Sequence, residues 1–296
     1  MNSKKTTTSL FAAAILGSLL LASCGTSLPQ TEEQAVKTLT FSNGETFSYT
    51  EYDGIVKTDD DVIVANSNEL SDLVQKYEAY LKTPEVDKNG VGITKYCSFE
   101  FITCWSYTDN RWPAGKIYYS YDASITATQH NDILTAITDW NSRVTDVKWY
   151  YSPAASDRVV FTKETDPNAC GSSSIGKKGG AQQLRLSCFS KGVVQHEMGH
   201  TAGLLHEQSR CDRDSYVTIV WANIKSGYSG NFDKACGKEY KDYGSYNYNS
   251  VMHYGATAFS KNGLNTIVPK NGVPTSAIGQ RVALHTGDIS ALNQMY

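Results

Sequence analysis

The sequence predicts an α+β fold: strands and helices in a layer above a cleft, followed by an irregular C-terminal part. Three observations carry this expectation. A β-rich run at Lys116–Tyr121 precedes a segment of helical periodicity, Thr126–Trp140, with Ile133, Leu134, Ile137 and Trp140 on one apolar stripe. Short strand-like runs at 147–151, 158–161 and 183–186 then lead into a second helix around residue 193. Beyond residue 206 the chain is rich in Gly, Asn and Tyr, and only 288–296 reads as a further short helix. Strands and a helix feeding a second helix make a layer above a cleft.

The second helix carries the chemistry. His196 and His200 stand four residues apart, so their imidazoles leave one helical face about a turn apart and can share a metal. Glu197 lies beside the first histidine, able to reach a water on that metal without ligating it. Gly203 falls where the helix should stop, because glycine enters the left-handed conformation without steric cost. The turn it makes brings His206 back as a third ligand. Three neutral histidines with an open fourth position describe a catalytic rather than a structural zinc site, and H-E-x-x-H-x-x-G-x-x-H is the metzincin signature.

The first residues read as an export signal. Lys4 and Lys5 precede an apolar run, Leu10 to Ala22, that is too short for the roughly 20 residues of a spanning helix. Leu21-Ala22-Ser23-Cys24 resembles a bacterial lipobox, which predicts a signal peptide over 1–23 and a lipid on Cys24, anchoring the precursor to a membrane. The alternative is an ordinary signal whose cleavage site precedes a cysteine. Of seven cysteines, Cys97, Cys104, Cys170, Cys188, Cys211 and Cys236 then remain, an even number for an oxidising compartment. Spacing alone leaves their connectivity open. A net charge of −3 excludes a general nucleic-acid binder.

Residues 25–110 hold 15 acidic and 6 basic residues. Strand-like runs at 45–50 and 62–64 and an amphipathic helix over 69–81 give this stretch some structure but no strong catalytic pattern. An acidic leader facing a more basic domain is complementary in charge, so 24–110 reads as a pro-segment and 111–296 as the catalytic domain. A solvated spacer is the alternative.

From Arg111 onward the chain resembles the astacin family of metzincin zinc endopeptidases. Besides the zinc motif, the resemblance rests on Arg111-Trp112-Pro113, His206-Glu207-Gln208-Ser209-Arg210, Asp212-Arg213-Asp214, Ser250-Val251-Met252-His253-Tyr254 and Ile278-Gly279-Gln280-Arg281. It implies a metzincin-type architecture, an N-terminal twisted mixed sheet with two long helices and an irregular C-terminal subdomain with the active-site cleft between them. It implies one zinc ion on His196, His200 and His206, with Glu197 as general base and then general acid. It implies Met252 as the hydrophobic floor under the metal, and Tyr254 as the phenol that stabilises the transition state. It implies that substrates are peptides in extended conformation, added to a cleft-edge strand near 172–175. Glu207 is expected to meet the N-terminus freed by processing, with a neighbouring arginine such as Arg210 as its alternative partner. A monomer is expected, and the catalytic domain is expected to be released once the chain is cut between about Asn89 and Trp112.

The resemblance also implies a Cys170–Cys188 bridge, which leaves Cys211–Cys236 as a lineage-specific pair and Cys97–Cys104 as a local loop. A further family disulfide is missing, because Val144 or Thr145 occupies its first position and no cysteine follows Cys236. Latency in the family often uses an aspartate on the zinc. Asp61, in Asp59-Asp60-Asp61-Val62, is the candidate here, although the usual glycine is absent. A thiolate from Cys97 or Cys104 is the rival switch. The competing class of function is a lipid-anchored binding protein whose zinc fold is catalytically silent.

Overall fold

The computed structural model describes residues 34–58, 61–82, 110–236 and 241–296. The chain divides into a unit over Met1–Glu32 and a unit over Glu33–Tyr296, and only the second is described. Cys24, Cys97 and Cys104 lie outside the described residues.

The leader builds a small antiparallel sheet from β1 (Lys37–Thr40), β2 (Thr46–Tyr52), β3 (Ile55–Thr58) and β4 (Val62–Asn66), followed by helix α1 (Ser67–Lys82). Phe41, Phe47, Tyr49, Val56, Ala65 and Tyr77 make its core. The period-2 run at 45–50 and the helical period at 69–81 both correspond to real elements. The sequence reading omitted β1 and β3. β1 is short and mostly exposed, and in β3 three consecutive residues, Val56, Lys57 and Thr58, are all buried, so no alternation marks it.

The catalytic part contributes β5 (Lys116–Tyr121), α2 (Ala127–Arg143), β6 (Lys148–Tyr151), β7 (Arg158–Lys163), β8 (Gly171–Ser173), β9 (Ala181–Leu186) and α3 (Lys191–Ala202). Thr126 caps α2 through a reciprocal box with Gln129, which explains why the helix begins there. Among the described residues the strands form one nine-stranded sheet in the order β1-β2-β3-β4-β8-β9-β7-β5-β6. β9, β7, β5 and β6 run parallel to their neighbours, and β8 is antiparallel to β9. The mixed sheet is therefore as expected, but it extends into the leader through a parallel β4–β8 junction.

Helices α2 and α3 pack on this sheet over a core that includes Ile117, Trp140, Trp149, Phe161, Leu184 and Met198. The C-terminal part is mostly irregular, with a two-stranded pair, β10 (Val217–Ile219) and β11 (Ile267–Pro269), and a final helix, α4 (Thr286–Met295). Its own core centres on Phe232, Tyr254 and Ile267. Where the family's missing staple would sit, Asn293 Oδ1 accepts from the backbone N–H of Thr145 (2.9 Å) and Asp146 (3.2 Å), tying the end of α2 to α4 without a covalent bond.

The domain is already in place at residue 110. Asn110 O accepts from Lys177 N at 2.8 Å, and the Trp112 indole donates to Thr201 O at 2.9 Å. Trp112 is 1% exposed, which ties residue 112 firmly into this part of the fold.

Candidate active site

Helix α3 has no hydrophobic face because it is buried on all sides; every residue from Val194 to Ala202 except the chain's own polar ligands packs against protein, and His196, Glu197 and His200 are each 2% exposed or less. Gly203 stops the helix with φ 109° and donates its N–H back to His200 O at 2.8 Å. The chain then turns, and His206 arrives beside the other two rings, with ring centroids 5.4 Å from His196 and 4.7 Å from His200.

Backbone carbonyls fix which nitrogen each ring presents. His196 Nδ1 lies 2.8 Å from Val251 O, and His200 Nδ1 lies 2.9 Å from Leu204 O. A carbonyl can only accept, so Nδ1 carries the proton in each and Nε2 presents a lone pair. Burial first, and then the Arg281 guanidinium, push His196 down to about 3, which keeps it in the neutral form a metal needs.

The Asp61 carboxylate stands in front of these nitrogens, at 3.0 Å from His196 Nε2, 3.2 Å from His206 Nε2 and 3.7 Å from His200 Nε2. Burial opposes its ionisation, but positive charge at His206, first among the opposing causes, outweighs that and holds Asp61 well below the usual carboxylate range. An ionised carboxylate thus faces imidazole lone pairs. Asp61 Oδ1 and His200 Nε2 are buried and make no hydrogen bond. A cation among these four groups resolves both facts, and three imidazoles with one carboxylate oxygen suit zinc.

Glu197 Oε2 is likewise buried without a hydrogen bond. Burial and then the Asp61 carboxylate hold Glu197 well above the usual carboxylate range, while Arg281 opposes them. Gly171, at the start of β8, leaves the room this side chain needs; a Cβ there would lie 2.8 Å from Glu197 Oε1. Below the histidines, Met252 is 1% exposed, and its carbonyl accepts from Glu207 N at 3.1 Å. The Tyr254 ring centroid lies 4.4 Å from that of His206, and Tyr254 N donates to Gln208 Oε1 at 3.0 Å. His253 turns away from the centre: Nδ1 faces Tyr254 O, and Nε2 accepts from Tyr246 OH at 2.6 Å.

Glu207 is half-buried and accepts from Asn247 N at 2.7 Å. Arg210 stands 3.7 Å away but donates to both Asp212 carboxylate oxygens at 2.9 Å and to the carbonyls of Tyr243 and Gly244 at 3.0 Å. Burial pushes the Glu207 carboxyl up to about 7, with the Asn247 N–H and Arg210 acting against it. A cavity of about 90 Å³ opens beside it, lined also by Asn247, Asp288 and Met295. The structure bridges Cys170 to Cys188 and Cys211 to Cys236. Arg281 had no assigned role in the sequence reading; its place beside Asp61 and Glu197 depends on a loop more than eighty residues away from the helix, which no local spacing reveals.

This fold and this three-histidine centre with its carboxylate neighbour define a metal-dependent hydrolase scaffold. The chain belongs to the astacin family (peptidase family M12A), whose model matches residues 105–296. It is 37% identical over 188 residues to the zinc metalloproteinase nas-15 of Caenorhabditis elegans, covering 62% of this chain and 32% of that protein. It is 30% identical over 278 residues to nas-4 of the same organism, covering 92% of this chain and 81% of that protein. Among solved structures, the high choriolytic enzyme 1 of Oryzias latipes, a hatching-enzyme zinc protease, superposes with a TM-score of 0.54 at 32% identity, over 62% of this chain and 90% of that one. The chain spans about a third to two-fifths of nas-15, nas-14 and nas-13.

Proposed function

We propose that the protein is an exported zinc endopeptidase made as a latent precursor, in which Asp61 of the leader blocks the metal site. The observation that carries this reading is the Asp61 carboxylate seated among His196, His200 and His206 while β4 lies on β8. His196, His200 and His206 would hold one zinc ion, and zinc when bound supplies the Lewis acidity that makes water nucleophilic near pH 7 and polarises a carbonyl. Glu197 accepts the proton of the attacking water and passes it to the departing amine as the C–N bond breaks. Tyr254 donates to the oxygen on which negative charge develops. The edge of β8 offers backbone hydrogen bonds to an extended peptide, as its Ser173 N now does to Asp61 O at 2.8 Å.

The same placement accounts for latency. Burial and then the Asp61 charge hold Glu197 well above the usual carboxylate range, so the leader works against the base as well as covering the ligand position. Export is supported by the N-terminal signal pattern and by the two bridges, which persist in oxidising compartments. A lipid on Cys24 would hold the precursor at a membrane until a cut in the 83–109 stretch separates leader from enzyme.

Glu207 completes the switch. A half-buried carboxyl pushed up to about 7 would be stabilised in its ionised form by a cation, and Arg111 donates to the carbonyl of Met295, a residue lining the cavity beside Glu207. A new N-terminus a few residues before Arg111 is within reach of that cavity. Zinc-loaded chain cut in the 83–109 stretch is expected to cleave extended peptides, and Glu207→Ala to lower kcat/KM about tenfold with zinc retained. Undiminished activity of the cut Glu207→Ala protein would remove the switch. No cleavage by zinc-loaded cut wild type would remove the catalytic reading.

A further inference from the structure

The leader does more at the cleft than supply Asp61. Lys57, in β3, is 1% exposed, and its ammonium lies 2.8 Å from Asp166 Oδ2 and 3.5 Å from Glu164 Oε2 in the catalytic domain. The two carboxylates are built into the site. Glu164 Oε1 accepts from the backbone N–H of Thr165 (2.9 Å) and Asp166 (3.0 Å) and from Arg185 Nε (3.4 Å). Glu164 Oε2 accepts from Ser172 Oγ, and Asp166 Oδ1 accepts from Asn168 N at 3.0 Å. With Lys57 present the cluster balances two anions against Lys57 and Arg185. Without it, Arg185 still serves Glu164, but among the described residues Asp166 Oδ2 has no other hydrogen-bond partner.

The position of this cluster ties it to the cleft. Ser172 is the middle residue of β8, between Gly171, which lies against Glu197, and Ser173, which pairs with Val62 of the leader. The acidic pocket is therefore one side chain away from the strand edge that the leader covers. A carboxylate pair left short of one cation favours a ligand that restores the cation, because a neutral ligand covering it leaves the charge uncompensated. A flexible lysine arm with three donors fits this, as Lys57 demonstrates in place.

We infer that Glu164 and Asp166 form a substrate subsite that selects a lysine side chain, and that Lys57 of the leader occupies it in the uncut chain as a stand-in for substrate. The inference rests on the endopeptidase reading only in taking an extended polypeptide as the ligand. Departure of the leader exposes the pocket at the same time as it frees the histidines. A polypeptide lying along β8 then presents one lysine to Asp166, and the pairing sets the register of the bound chain.

The test uses zinc-loaded full chain, cut in the 83–109 stretch and separated from its leader by gel filtration. Fluorescent peptides of one sequence carry a single lysine, moved position by position, or norleucine at the same place. At one position lysine is expected to favour binding, by anisotropy, and kcat/KM by about tenfold or more over norleucine. Asp166→Asn is expected to abolish that discrimination, and Asp166→Glu to restore part of it, with zinc content unchanged throughout. Equal treatment of lysine and norleucine at every position would overturn the subsite, as would discrimination that survives in Asp166→Asn. Lysine-dependent binding without cleavage of any peptide would leave the subsite standing and defeat the endopeptidase reading instead.

Discussion

Asp61→Ala is expected to yield an uncut chain that cleaves peptides. Among the described residues Asp61 is the one leader side chain at the three histidines, and losing a partner from a desolvated charge pair costs about 2–5 kcal/mol. At 1.4 kcal/mol per tenfold, the leader should leave the cleft roughly thirty-fold or more often than in the wild type. Peptidase activity of the uncut variant should rise by that factor over uncut wild type, while the β4–β8 junction and the Lys57–Asp166 pair keep it below the activity of the cut enzyme. An uncut Asp61→Ala chain as silent as the wild type would mean that β4, rather than the carboxylate, blocks the site. A cysteine switch makes the opposite demand: Cys97→Ser or Cys104→Ser would activate the uncut chain and Asp61→Ala would not.

Glu197→Gln is expected to keep zinc and fold yet lose about 10²–10⁴ of kcat in the cut enzyme, the usual contribution of a positioned general acid–base. Glutamine matches glutamate in volume, so the tight approach of Gly171 is preserved and the histidine cage is untouched. The amide cannot accept the proton of the attacking water or return it to the amine. Metal content, measured with activity on the same sample, separates this from simple loss of the site. Full activity with zinc bound would remove Glu197 from the mechanism.

The histidine centre was legible because its information is local. Four residues on a helix put His196 and His200 on one face, and a glycine at the stop position brings His206 around; both are consequences of backbone geometry within eleven residues. The elements from Lys116 to Leu186 follow in the same way from alternation and periodicity, with ends shifted by a few residues, whereas the edge strand near 172–175 was expected only from the resemblance and is Gly171–Ser173. Asp61 could be named from sequence only through the resemblance, because its contact with His196 spans 135 residues.

What stayed hidden depends on long-range register. Lys57 and Asp166 are 109 residues apart, and neither carries a local pattern that announces a partner. Lysine in a short strand reads as a solvated position, yet here tertiary pairing overrides that expectation. The same holds for Arg281, which reaches the centre from a loop, and for β3, whose buried lysine breaks the alternation that would have revealed the strand. Where charge pairs replace apolar periodicity, sequence patterns lose the signal, and those places cluster around the cleft.

The most direct test of a latent zinc endopeptidase is the peptide-cleavage rate of one zinc-loaded preparation, measured before and after a single cut in the 83–109 stretch, with zinc content followed throughout. The expected result is little or no cleavage by the uncut chain, strong cleavage after the cut, and the same one equivalent of zinc in both. Equal rates before and after the cut, or a cut protein that holds zinc and cleaves nothing, would contradict it.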